Sequence, residues 1–165
     1  MSPILRRQFL SGRRVPAYVG PCPPGASGAT IADACTGCGR CAQRCPTGII
    51  SMAGGLPFLD FSQGECTFCG ECAQACPEPV FSAKRVFRLP QVATISNDCL
   101  AQRCITCQSC GEACPEQAIR FRPRIGGPFV PELDNTKCTG CGACLSICPA
   151  DAISFQALTA EATNV

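Results

Sequence analysis

Apolar residues in this chain come in short runs that Pro, Gly, Cys or charge cut off well before the roughly 20 residues a membrane-spanning helix requires, so no transmembrane segment is expected. Two of these runs are split by a glycine pair. Ile49 to Phe61 places Gly54-Gly55 between Ile-Ile-Ser-Met and Leu-Pro-Phe-Leu-Asp-Phe, and Ile119 to Leu133 places Gly126-Gly127 between similar segments. A glycine-containing turn between two apolar runs predicts a β-hairpin. Beside the hairpins stands a unit that recurs four times: CTGCGRCAQRCP from Cys35, CTFCGECAQACP from Cys66, CITCQSCGEACP from Cys104 and CTGCGACLSICP from Cys138. Each is C-x2-C-x2-C-x3-C-P, and each runs on into an apolar pair or near-pair: Gly48-Ile49-Ile50, Val80-Phe81, Ala118-Ile119 and Ala152-Ile153. The unit reads strand, Cys loop, short helix, strand, with the helix being the one or two turns after the third Cys.

The spacing has a chemical reason. Cysteines at i, i+3 and i+6 on a tight loop can turn three sulfurs toward three irons of one cubane, while a fourth, just before Pro, reaches the neighbouring cluster, as in two-cluster ferredoxins. Gly37, Gly39, Gly70, Gly140 and Gly142 permit positive φ and close approach of the backbone to the inorganic sulfides. Two units related by a pseudo-twofold axis make one bacterial-type two-cluster ferredoxin-like module, so four make two. The expected fold is α+β, with a module over 31–95 from motifs 1 and 2 and a second over 96–158 from motifs 3 and 4. An N-terminal arm, 1–30, precedes them and a tail, 159–165, follows. Nested pairing, first with fourth and second with third, is equally allowed by spacing; consecutive pairing is favoured.

On the consecutive scheme Cys35, Cys38, Cys41 and Cys76 hold one [4Fe–4S] cluster and Cys66, Cys69, Cys72 and Cys45 the second. Cys104, Cys107, Cys110 and Cys148 hold the third, and Cys138, Cys141, Cys144 and Cys114 the fourth. Four clusters need sixteen ligands and the chain has 18 cysteines, which leaves Cys22 and a choice between Cys99 and Cys104. Cys104 keeps the spacing. Cys99 follows Ser-Asn-Asp, a flank like those before Cys138 and Cys66, as though five residues had been inserted after the true first ligand. By spacing Cys104 is preferred, and either could bind iron. Cys22, in Val-Gly-Pro-Cys-Pro-Pro-Gly, reads as a free thiol in a linker.

Composition agrees with a cofactor-built protein. Of the 46% of residues counted as hydrophobic, 18 are Cys and 20 are Ala, leaving only 38 larger side chains for a core. A secreted disulfide framework does not usually repeat one tight spacing four times, and structural zinc usually takes ligand pairs separated by a longer loop. The absence of His excludes imidazole-ligated metals and His-based catalysis. With no activated nucleophile or general base in view either, an enzyme is not expected. Formal charge is +2. Each oxidised cluster with its four thiolates carries about −2, so a four-cluster protein would stand near −6. The arm is the basic part, with Arg6, Arg7, Arg13 and Arg14 and no acid. It fits a docking arm or a solvated tail, and four arginines are too few to argue nucleic-acid binding. Arg6-Arg7-Gln8-Phe9-Leu10 has the look of a twin-arginine export signal, but Ser11-Gly12-Arg13-Arg14-Val15-Pro16 follows where an apolar region should be, so retention in the cytoplasm is expected.

The arm with its Arg-Arg-x-Phe-Leu-x-Gly-Arg pattern, Cys66-Thr-Phe-Cys69, Asp98-Cys99-Leu100-Ala101 and Arg120-Phe121-Arg122-Pro123 together resemble the NapF family. These are ferredoxin-type accessory proteins of periplasmic nitrate reductase systems. The resemblance covers essentially the whole chain. It implies a cytoplasmic protein that binds the precursor of the nitrate reductase catalytic subunit and assists its [4Fe–4S] cluster before export. It also implies a third motif that begins with C-x7-C, the spacing of Cys99 and Cys107, against the preference that spacing alone gives Cys104. An electron-transfer ferredoxin is the competing role.

Overall fold

The computed structural model describes residues 20–158. The four arginines of the arm, the twin-arginine pattern and the tail at 159–165 lie outside the described residues. Between them the chain folds into two halves built on one plan, each with two Cys loops, two one-turn helices and a hairpin.

The second half is the more regular. Strand β3 (Gln91–Ile95) leads into motif 3, the turn α4 (Ser109–Glu112), the hairpin β4 (Ile119–Arg124) and β5 (Gly127–Leu133), motif 4 with α5 (Ala143–Ser146), and β6 (Ile153–Ala157). β6 returns antiparallel to β3, with Ala93 opposite Phe155, and the two helices pack together. Motifs 3 and 4 therefore pair with each other. β3 was expected at the end of the first module; its hydrogen bonds to β6 carry the boundary from 95/96 back to before Gln91.

The first half repeats the inner part of this plan: α2 (Arg40–Gln43), the hairpin β1 (Ile50–Ala53) and β2 (Leu56–Leu59), and α3 (Glu71–Gln74), which packs on α2. The first hairpin turns at its glycine pair, Gly54-Gly55; the second turns one residue earlier than expected, at Ile125-Gly126, because Arg124 pairs with Gly127, which opens β5. The outer strands are missing here. Before motif 1 the chain forms α1 (Gly28–Ala34), capped reciprocally by Ser27 and Thr30 and anchored by Ile31, which is fully buried. After motif 2 the chain runs on through 79–90 without a strand.

One position accounts for the second difference. Three residues after the fourth Cys of motifs 1, 3 and 4 stand Gly48, Gln117 and Asp151, all left-handed, with φ of 68°, 49° and 47°. Each lets the chain turn directly into a strand. In motif 2 that residue is Pro79, whose ring holds φ near −65° and forbids the turn. The segment at 20–34 closes the first half instead. The stretch around Cys22 reads as linker in the sequence, yet Pro21 accepts a hydrogen bond from the Leu59 amide at 2.8 Å, Gly25 accepts one from the Ser82 amide at 2.7 Å, and Pro23 is fully buried.

A buried cluster of Ile49, Ile50, Leu59, Phe61 and Leu89 fills the first half, and one of Val92, Ala93, Ala118 and Ile119 the second. Buried cysteines belong to both, so the core is arranged around thiols rather than beside them.

Candidate iron–sulfur centres

In motifs 1, 2 and 4 the Cys loop enters its helix through a left-handed residue. Gly39, Gly70 and Gly142 cap α2, α3 and α5 with φ of 72°, 82° and 93°. That conformation turns the chain sharply and buries the third cysteine, the helix's second residue, which is Cys41, Cys72 or Cys144, and Cys110 is buried at the same place in motif 3 without it. The helices thus contain the third Cys instead of following it. A second left-handed residue bends the loops of motifs 1, 2 and 4 just before the second cysteine: Gly37, Gly140 and, unexpectedly, Phe68 at φ 52°.

The thiols gather in the consecutive scheme. Cys66, Cys69 and Cys72 line one cavity together with Cys45 from the neighbouring motif. Cys138, Cys141 and Cys144 line another with Cys114. In the first motif, burial raises the Cys41 thiol, and Cys35 and Cys76 raise it further by repulsion, which brings the fourth cysteine of motif 2 to motif 1. Cys38 in the same loop is exposed. Nested pairing has no counterpart in these groups.

The third group decides between Cys99 and Cys104. Cys107, Cys110 and Cys148 share their cavity with Cys99. The Cys110 thiol is pushed up to about 11 by burial first and then by Cys99, Cys107 and Cys148. Cys104 is exposed and left-handed, at φ 65°, with its sulfur 3.2 Å from the Arg124 guanidinium. The preference that spacing gave Cys104 is corrected here. Residues 99–104 make a turn in which Arg103 donates to the Cys99 carbonyl at 3.0 Å and Ile105 to that of Leu100 at 2.8 Å, which lifts Cys104 out and leaves Cys99 in. Motif 3 also has Gln108, at φ −134°, where the others have a capping glycine. Cys22, half-buried in the segment over the first hairpin, stands apart from the four groups as an unpaired thiol.

Burial is the largest influence on these thiols and pushes Cys66 and Cys72 up to about 11 and Cys144 to about 12, with neighbouring cysteines adding to it. Four sulfurs held together away from water resist ionising unless a cationic centre compensates them. Backbone amides supply part of the compensation. Gly37 donates to Cys35 Sγ at 3.4 Å, Ala118 to Cys114 at 3.3 Å and Ala152 to Cys148 at 3.4 Å. At Cys45 burial is outweighed by the Thr47 hydroxyl, 3.5 Å away, and the amides of Ile49, Thr47 and Gly48, so that thiol is lowered. Such donors are the means by which a protein tunes an iron–sulfur cluster.

The donor set fits the group. Cavities walled by Ile, Leu, Phe and Ala and lined by four thiols suit a cubane, whose ligands bind separate irons. Among the described residues no three Cys, Asp or Glu converge to hold a single metal ion. The class defined is an iron–sulfur protein of the ferredoxin type. Descriptions of a 4Fe-4S dicluster domain match residues 34–81 and 65–119 in one family and 103–152 in another. The last begins beyond Cys99, following linear spacing as the repeat does. Over 135 residues, 81% of this chain and 82% of the relative, the sequence is 39% identical to the ferredoxin-type protein NapF of Escherichia coli K12, and equally so to those of strains O6:H1 and O157:H7. The chain belongs to the NapF family of ferredoxin-type proteins, and its cofactors are [4Fe–4S] clusters.

Proposed function

We propose that the chain carries four [4Fe–4S] clusters, on the sixteen cysteines of the four groups with Cys99 in place of Cys104, and that it works in the cytoplasm. There it binds the precursor of the periplasmic nitrate reductase catalytic subunit and assists assembly of that subunit's cluster before export. It catalyses no reaction of its own. Family membership over four-fifths of the chain is the observation that carries this reading. That no helix among the described residues is long and apolar enough to cross a membrane accords with it. The test is incubation of holo-protein with the apo catalytic subunit. The expected result is a cluster-loaded, active reductase; failure to load it, together with full assembly of the subunit in cells lacking this protein, overturns the reading. Electron carriage is the second reading, favoured by a hydrogen bond that joins the ligand loops of the two halves. It calls for stable, reversible one-electron couples in protein-film voltammetry.

A further inference from the structure

The two halves meet at the Cys loops of motifs 2 and 4. The Cys66 amide donates to the Cys141 carbonyl at 2.7 Å, so two ligand residues of different halves are bonded directly with no third residue between them. The surroundings hold this contact firmly. Leu89 donates to the Thr139 carbonyl at 2.9 Å, and the Gln91 side chain to Gly140 at 3.2 Å. Gly142 packs so closely on Phe61 that a Cβ there would stand 2.1 Å from the ring, and that ring meets Phe155 edge-on at 5.2 Å. Arg88 spans the same seam, donating to the Asn135 and Thr136 carbonyls at 2.6 and 3.2 Å.

Within each half the sites are joined by the exchanged fourth cysteine. We propose that the four sites form one line in the order first, second, fourth, third, and that the Cys66–Cys141 hydrogen bond is the junction where an electron crosses between the halves. The order in space therefore differs from the order in sequence. Both ends reach the surface: Cys38 is exposed at the first site, and at the third Ile147, 49% exposed, adjoins Cys148 while Ile105, 53% exposed, stands two residues before Cys107. Each transfer oxidises one site by one electron and reduces its neighbour by one, with no bond made and no proton moved. A one-electron reductant of the flavin or ferredoxin class supplies the electron at one end, and a one-electron acceptor removes it at the other.

The inference rests on the ligand sets proposed above and deepens the electron-carrying reading. Iron analysis tests the ligand sets and magnetic coupling tests the order, so the two can fail separately. The experiment is electron paramagnetic resonance of the reduced full-length holo-protein. Cys72→Ser, which removes the second site, is expected to narrow the signals of the first and fourth sites; Cys41→Ser, which removes the first, is expected to leave the fourth unchanged. The reverse pattern overturns the order. Gly142→Ala keeps every ligand, and with full iron it is expected to weaken the coupling between halves; undiminished coupling overturns the junction. Should these variants lose their iron, the unmodified protein decides. A line of four gives three nearest-neighbour couplings when fully reduced, whereas two magnetically isolated pairs overturn the proposal.

Discussion

The two halves share a motif and differ in how they are closed. In the second half β3 and β6 pair along five residues and seal the site region as a sheet. In the first half no strand follows motif 2, and a capped helix with a proline-rich lead-in packs where a sheet would be. The Cys loops and one-turn helices are nearly unaffected, because their shape is set by left-handed residues and by the thiols themselves. The periphery of such a module is therefore replaceable while its ligand loops are not. The second half has its own irregularity, the five-residue insertion that displaces Cys104, and there too the four-thiol group survives.

The largest test of this comparison concerns that insertion. Cys99→Ser is expected to remove roughly one cluster in four, read as iron and sulfide per chain, while Cys104→Ser keeps the full content. Equal losses in the two variants would break the view that the insertion leaves one ligand. Next in size is the seam. Gly142→Ala must hold a side chain at φ 93° and drive a Cβ into Phe61, so the holo-protein should lose about 3 kcal/mol in denaturant unfolding, from strain and overpacking together. A loss under about 1 kcal/mol would mean that the halves adjust to each other more freely than their packing indicates.

Alkaline pH tests the thiol groups of both halves without any substitution. In the metal-free, reduced chain the folded thiols of Cys66, Cys72 and Cys110 lie near 11 and that of Cys144 near 12, against an ordinary 9.0. A raised folded value means that the folded chain holds protons the unfolded chain has released. Their contribution is complete below pH 9 and is lost as pH climbs toward 11 to 12. Circular dichroism of the apo-protein should show stability falling across that window. A flat profile would place these thiols in water. The smallest effects compare the two closures directly. Ser27→Ala removes the cap of α1 and should cost about 1 kcal/mol. Thr94→Ala removes the exposed hydroxyl pair with Ser154, 2.8 Å apart across β3 and β6, and should cost about 0.5 kcal/mol. If the cap costs nothing measurable, α1 does not close the first half.

The sequence alone determined what is local. The fourfold C-x2-C-x2-C-x3-C-P spacing, the positive-φ glycines at 37, 39, 70, 140 and 142 and the hairpin turn at 54–55 are present as read, and the second hairpin turns within one residue of its glycine pair, at 125–126, because each depends on a few adjacent residues and on iron's demand for thiolate. Consecutive pairing, the strand partnership of 91–95 with 153–157 and the packing of 20–34 onto the first hairpin were decided only by tertiary structure, since they join residues far apart that spacing does not relate. Cys99 shows the limit most clearly. Spacing ranks Cys104 first because spacing counts residues along the chain, whereas a cluster takes whichever sulfur the folded loop turns inward. Here a turn at Leu100–Arg103 and the hold of Arg124 on Cys104 leave Cys99, not Cys104, in the cavity with Cys107, Cys110 and Cys148.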